Sequence, residues 1–271
     1  MTIERLRSHY GFSRMPFSRS IAPGMLFPRH AHKEATARIA WLVAEGAIGV
    51  VTGEVGAGKT VAARAAAAAL DPSRHTVVYL SNPAVGARGL YAFIVSALGG
   101  IPSFHRPALI AQAAELLAAE EAERAKRVVV VVDEGHLLSP DQLEQLRILT
   151  NFDMDSASPL ALLLLGQPTL RRRIKLGAFA ALDQRIALRY HIEGMDLVEC
   201  AAYVKHHLSL AGRSDPLFSD DALGAIHRTS RGVPRSINNL AIQALVAAFA
   251  EGKGIVDESC ARTAIDEVTS E

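Results

Sequence analysis

Gly53-Glu54-Val55-Gly56-Ala57-Gly58-Lys59-Thr60 is a GxxxxGK[ST] loop, and its surroundings decide the fold. The apolar run Ile48-Gly49-Val50-Val51 precedes it and an Ala-rich helical stretch follows. Glycines let such a loop curl until several backbone N–H groups point inward at a pair of phosphates. Gly53, Gly56 and Gly58 supply that freedom, Lys59 adds positive charge for the terminal phosphates, and the Thr60 hydroxyl suits Mg²⁺. The expected phosphate-binding set therefore runs through Gly53, Glu54, Val55, Gly56, Ala57, Gly58, Lys59, Thr60 and Val61.

A second segment completes the pattern. Val128 to Val132 is an unbroken valine strand that runs into Asp133-Glu134. Parallel α/β folds present ligands at the carboxyl ends of their strands, where Asp133 stands as the expected Mg²⁺ contact. Glu134, one residue on, is placed to polarise an attacking water, a step worth roughly 10²–10⁴-fold in rate. The plainer alternative is that Glu134 caps the helix that begins near Pro140 or simply faces solvent. Phosphate-loop kinases and GTPases need no such acid pair, so Glu134 turns the expectation towards a hydrolase.

Outward from these segments, β and α patterns alternate. Five strands are expected at Ile48–Val51, Thr76–Leu80, Val128–Val132, Leu160–Leu165 and Ala187–Ile192, separated by helical stretches. Apolar strands in this alternation predict an α/β fold, a five-stranded parallel sheet with helices on both faces. After Ile192 the strand pattern stops and four helical stretches follow, punctuated by Gly212, Pro216, Gly232 and Gly252-Lys253-Gly254. Three segments are expected: an extended N-terminal lead-in over 1–31, a nucleotide-binding α/β domain over 32–195, and a small all-helical lid over 196–271.

Composition narrows the class. The 271 residues are 49% hydrophobic but only 6% aromatic, which predicts an aliphatic core. Cys200 and Cys260 lack metal-ligand spacing and read as reduced, inert thiols. Charges at Glu4, Arg5 and Arg7 break any signal-peptide core, and no apolar run approaches the ~18 residues of a membrane span. A cytoplasmic protein is expected. Formal net charge is +1; residues 196–271 hold seven Lys/Arg against eleven Asp/Glu, a net of −4, which leaves +5 for residues 1–195. Arg171-Arg172-Arg173-Ile174-Lys175 is a candidate basic patch, as are Arg88, His105 and Arg106, although most charge runs are solvated faces. His30, His32, His136, His206 and His207 lack ligand spacing and read as ordinary surface or core histidines, so no metal site beyond Mg²⁺ is expected.

The chain resembles the AAA+ ATPases of the ExeA type, a group that includes the transposon ATPases TnsC and TniB. The resemblance rests on the phosphate loop and on "VVVVVDEGHLLSPDQLEQLRILTNFD", "LLLLGQPTLRRRI", "LDQRIALRYHI" and "GVPRSINNLA", with "YGFSRMPFSRS" and "LFPRHAHKEATARI" near the start. It covers roughly Tyr10 to Val268 and implies ATP and Mg²⁺ as ligands. By resemblance Gln167 takes the sensor-one place that orients the attacking water, where the alternative is an ordinary turn residue before Pro168. Arg185 takes the arginine-finger place that reaches a neighbouring subunit's nucleotide, with Arg189 as rival and a structural ion pair as alternative. Arg235 takes the sensor-two place in the lid, and Asn151 matches a motif position that a helix-end Asn explains equally.

The resemblance implies a homo-oligomer, ring or filament. The first expectation for its output is an ATP-dependent regulator of transposition that binds double-stranded DNA and recruits or licenses a transposase. The ground is subtraction, because secretion proteins of the ExeA type continue into a membrane segment and a peptidoglycan-binding region that this sequence lacks. The alternatives are a secretion or envelope-assembly ATPase of the ExeA type, or a nucleotide-dependent scaffold with little turnover.

Overall fold

The computed structural model describes residues 2–18, 25–151 and 158–269. These form two compact units: residues 30–53 with 58–192, and residues 1–29 with 54–57 and 193–271.

The first unit is built on five strands, β1 (Ile48–Gly53), β2 (His75–Leu80), β3 (Arg127–Val132), β4 (Leu160–Gly166) and β5 (Ile186–Ile192). All pair in parallel, in the order β2-β3-β4-β1-β5. The expected parallel sheet is therefore present. Burial follows position in the sheet. The inner strands β1 and β4 are buried at every residue and β3 at all but its first, as strands covered on both faces must be. The edge strands β2 and β5 leave alternate residues exposed.

Numbering the helices from α1 (Ile3–Tyr10), this unit holds α2 (His30–Glu45), α3 (Lys59–Ala68), α4 (Gly86–Ala97), α5 (Arg106–Arg124), α6 (Pro140–Leu149), α7 (Pro168–Ile174) and α8 (Ala180–Arg185). One face of the sheet, through Val50, Val78, Val130 and Leu162, packs with Leu90, Ile94, Leu117 and Leu143 from α4, α5 and α6. On the opposite face Gly49 lies under Leu42 of α2, where an added Cβ would come within 2.7 Å of its side chain. The turn after β3 is held by a capping box. Ser139 Oγ accepts from the Gln142 amide, while Gln142 Oε1 accepts from the Ser139 amide. Ser139, and not Glu134, thus caps α6.

The second unit gathers α9 (Leu197–Leu210), α10 (Asp220–Ser230), α11 (Pro234–Ala250) and α12 (Glu258–Thr269). Their core includes Val204, Leu208, Ile226, Ile237, Leu240 and Leu245. The extended lead-in expected over residues 1–31 is corrected here. Ile3–Tyr10 is the helix α1, ended by Gly11 in the left-handed region, and Leu6, Tyr10, Phe12 and Phe17 join this same core. The segment is then fastened by polar bonds: the Ser13 amide donates to the Ala211 carbonyl at 2.9 Å, and Arg14 Nε to the Leu210 carbonyl at 2.8 Å. Its few apolar residues lack a repeat period because half of them follow the helix, in an irregular stretch.

Cys200 and Cys260 are buried and unpaired, and burial pushes the Cys200 thiol up to about 11, which keeps it unreactive. His207 is buried in the same core, stacked on Phe17 and beside Tyr203. Burial first, then the charges of His206 and Arg14, push it down to about 4, against ~6.5 in an unfolded chain. The folded form then binds its proton less readily than the unfolded one. Stability is full above the unfolded value and is lost as pH falls from ~6.5 towards 4. The urea midpoint of wild type is expected to drop between pH 7 and pH 5, with a smaller drop in His207→Phe. Equal drops in both proteins would remove His207 as the cause.

Candidate nucleotide site

The phosphate loop starts where β1 ends and closes where α3 begins. Gly58 is the N cap of α3 at φ +98°, and no side chain caps that end, so the first-turn amides of the helix are left for a ligand. A Cβ on Gly58 would lie 2.3 Å from His32 Nε2, so a side chain there would have to displace that ring as well as adopt a backbone angle that favours glycine. Lys59 is 7% exposed and its ammonium donates to the Gly53 carbonyl at 2.9 Å, curled back over its own loop.

Residues 54–57 belong with the helical unit, and two arginines of that unit meet them. A Cβ on Gly56, at φ +85°, would stand 2.3 Å from Cβ of Arg235, which places the start of α11 against the loop. The Arg235 side chain is otherwise exposed. Arg29, 2% exposed, donates to the Ala57 carbonyl at 3.3 Å and the Glu193 carbonyl at 2.9 Å, and its Nε lies 3.5 Å from Glu199. It ties the back of the loop to the segment that leads into α9. No sequence pattern marks this role, because Arg29 meets Ala57 and Glu193 only in the folded chain.

At the end of β3, Asp133 is buried and accepts three hydrogen bonds. Oδ2 takes the Thr60 hydroxyl at 2.8 Å and the Tyr79 phenol at 2.9 Å, and Oδ1 takes the Glu134 amide at 2.8 Å. Tyr79 is a further residue that sequence did not reveal. Register explains it: Tyr79 pairs with Val131, two residues before Asp133, on the neighbouring strand. Burial, then the bond to Asp133, push the Tyr79 phenol up to about 12, so it stays a donor across the working pH range. The hydroxyl of Thr60 and the carboxylate of Asp133 form a pair of hard oxygen ligands, the donor set that Mg²⁺ takes. With the unoccluded first turn of α3 and the buried Lys59, these residues fit a nucleoside triphosphate and its metal.

Glu134 adopts the left-handed region at φ +49°, uncommon for a residue with a side chain. Its carboxylate is 49% exposed, and its Oε2 lies 3.3 Å from His136 Nδ1. The other ring nitrogen of His136 meets the Gln167 side-chain amide at 3.0 Å. Gln167 is the residue between β4 and α7, and β4 lies between β1 and β3 in the sheet. Strand order therefore brings Gln167 to the acids across some thirty residues of sequence. His32 and His136, expected as surface or core histidines outside any metal site, lie beside Gly58 and between Glu134 and Gln167 respectively.

The remaining candidates stand further out. Arg185 is half-buried and donates to the Arg147 carbonyl at 3.1 Å and the Thr150 hydroxyl at 3.3 Å, at the end of α6. Arg189 pairs with Asp183 at 2.9 Å. Asn151 is exposed at the end of α6; the next residues of its motif, 152 and 153, lie outside the described residues. The basic run is divided. Arg173 turns inward to the His136 and Leu138 carbonyls, which takes it out of any DNA patch, while Arg171, Arg172 and Lys175 remain exposed. Arg106 pairs with Asp141, and Arg88 lies over the Phe104 ring.

Residues 43–174 match the family model of an AAA domain. General secretion pathway protein A of Aeromonas hydrophila is 36% identical over 254 residues, which is 90% of this chain and 45% of that protein. The chain thus spans less than half the length of this curated relative. Among solved structures, Drosophila ORC bound to DNA aligns with a TM-score of 0.67 at 18% identity, over 98% of this chain and 66% of that one. The Aeropyrum pernix ORC2 protein, as ADPNP-ADP complexes, aligns with a TM-score of 0.61 at 19% identity, over 93% and 70%. At these identities the structures share the fold. The phosphate loop, the acid-ended β3, the sheet and the similarity to a secretion protein over nine-tenths of this chain agree: the chain belongs with the ExeA-like AAA+ ATPases.

Proposed function

We propose that the protein hydrolyses ATP with Mg²⁺ and uses the cycle to assemble with, and release from, other copies of itself. The observation that carries this is the hydrogen bond from Thr60 to a buried Asp133, with Lys59 beside it and Glu134 directed to solvent. Thr60 and Asp133 would hold Mg²⁺, which would supply charge neutralisation at the terminal phosphates. The amides from Gly53 to Val61 and the Lys59 ammonium grip the same phosphates, and Tyr79 keeps Asp133 in position. Glu134 takes the proton from water, Gln167 orients that water, and Arg235, beside Gly56, adds charge from α11.

Glu134→Gln keeps the shape of the side chain and removes the base. Phosphate release is expected to fall by roughly 10²–10⁴-fold, with ATP still bound and the ATP-held assembly accumulating in light scattering. Negligible turnover in wild type and variant alike would leave the scaffold reading in its place, and equal, substantial turnover would remove Glu134 as the base.

Arg185 is the residue we assign to the neighbouring copy's nucleotide, and Arg189 is its rival. The role requires Arg185 to exchange its bonds to Arg147 and Thr150 for the γ-phosphate across an interface. Such arginines contribute about 10³–10⁵ in kcat. Mixing Arg185→Ala with Lys59→Ala protein is expected to restore part of the activity, since one competent site then forms between unlike copies. No recovery at any mixing ratio would exclude Arg185 from that role.

For the output, the secretion or envelope-assembly reading is the better supported, because the curated relative at 36% identity is a general secretion protein. Regulation of transposition, with duplex DNA and a transposase as partners, has no comparable support. The ORC structure that holds DNA is 18% identical, which carries the fold alone. A strain lacking this protein is expected to lose export of secreted proteins into the medium, restored by wild type and not by Glu134→Gln. Normal export together with ATP-dependent retention of duplex DNA at low salt would reverse the preference.

A further inference from the structure

We infer that His136 is a positioning residue that couples Gln167 to Glu134, so that the base is aligned only when Gln167 is engaged. The inference rests on the proposed roles of those two residues and adds a third. His136 Nε2 lies 3.0 Å from the Gln167 side-chain nitrogen. An amide nitrogen only donates, so Nε2 is the acceptor and, in the neutral imidazole, the proton sits on Nδ1. Nδ1 faces Glu134 Oε2 at 3.3 Å, buried and without a well-directed hydrogen bond. The opposite assignment, with the amide turned over, would set a bare nitrogen lone pair against a carboxylate. The arrangement is a directed chain: Gln167 donates to His136, and His136 has its remaining N–H aimed at Glu134.

The surroundings hold this chain as one piece. The short turn Gly135–Leu137 is wedged against β4, where a Cβ on Gly135 would meet the Leu165 carbonyl at 3.1 Å and one on Gly166 would meet the His136 amide at 3.2 Å. Arg173 then clamps the His136 and Leu138 carbonyls from α7, the helix that begins directly after Gln167. A displacement of Gln167 is therefore passed to His136 through its ring and through its backbone. The Gln167 amide has a second N–H for a phosphate oxygen or water, so it can serve both directions at once. A small rotation of the exposed Glu134 carboxylate completes the bond from Nδ1, and the backbone strain at Glu134 favours a side chain held from outside.

The experiment measures ATP turnover and nucleotide affinity in the full chain. His136→Ala is expected to lower kcat about tenfold or more, the loss of one well-placed hydrogen bond, while KM for ATP and ADP affinity stay within about twofold. His136→Asn keeps a donor near the Nδ1 position and is expected to recover part of kcat. The double variant His136→Ala with Gln167→Ala is expected to lose little more than the worse single variant, because both break one chain. Wild-type kcat in His136→Ala would overturn the inference, as would single losses that multiply in the double variant or no recovery in His136→Asn. A fall in nucleotide affinity equal to the fall in kcat would assign His136 to structure and also overturn it. Failure of the base assignment looks different: Glu134→Gln would then turn over like wild type whatever His136 does.

Discussion

A hydroxyl in the first turn of α3 and a carboxylate just past β3, two places from β1 in the sheet, meet at 2.8 Å, and the nucleotide site depends on that bond between Thr60 and Asp133. It exists because the sheet inserts β4 between β1 and β3 while keeping all carboxyl ends on one side. Burying Asp133 and Lys59 works against folding, since each charged group loses water. Backbone and side-chain hydrogen bonds offset part of that loss: Gly53 accepts from Lys59, while Thr60, Tyr79 and the Glu134 amide donate to Asp133. A chain selected for stability alone would have apolar residues in these places.

Around this bond the unit distributes its constraints unevenly. Asp133 is enclosed and saturated with donors, whereas Glu134, its neighbour, is exposed and sits in a strained backbone region. One acid suits a fixed ligand and the other a group that must receive a proton. The turn that follows Glu134 is closed from three sides, by the Ser139–Gln142 capping box, by β4, and by Arg173 of α7. In the helical unit the phosphate loop residues 54–57 are similarly fastened by the buried Arg29 and by Arg235. That several short-range contacts surround the loop is consistent with a site in which small shifts carry chemical consequences.

The match to general secretion pathway protein A covers nearly all of this chain and less than half of that protein, so the shared part is the AAA+ core. In the proposed function such a core supplies a cycle of nucleotide binding and hydrolysis, and what the cycle acts on is set by surfaces and partners. No helix among the described residues is long and apolar enough to cross a membrane.

The amino-acid sequence by itself determined the phosphate loop, the five strands, their parallel order of β and α, and the acid pair after β3. Each is a local matter: glycine spacing sets what a backbone can do, and runs such as Val128–Val132 or Leu160–Leu165 are apolar on both sides because both sides are covered. The N-terminal helix was not legible, since Phe12 and Phe17 follow it irregularly and find their partners in α9 to α12. Nor were Arg29, Tyr79, His32 and His136. A buried arginine, an edge-strand tyrosine and two histidines carry no spacing that distinguishes them from core or surface residues. Their partners at Ala57, Asp133, Gly58 and Gln167 lie twenty-six to fifty-four residues away; strand order and register bring Tyr79 to Asp133 and Gln167 to His136, and tertiary packing brings Arg29 to Ala57 and His32 to Gly58. Long-range adjacency is a property of strand order and register, and those are decided by packing of the whole sheet.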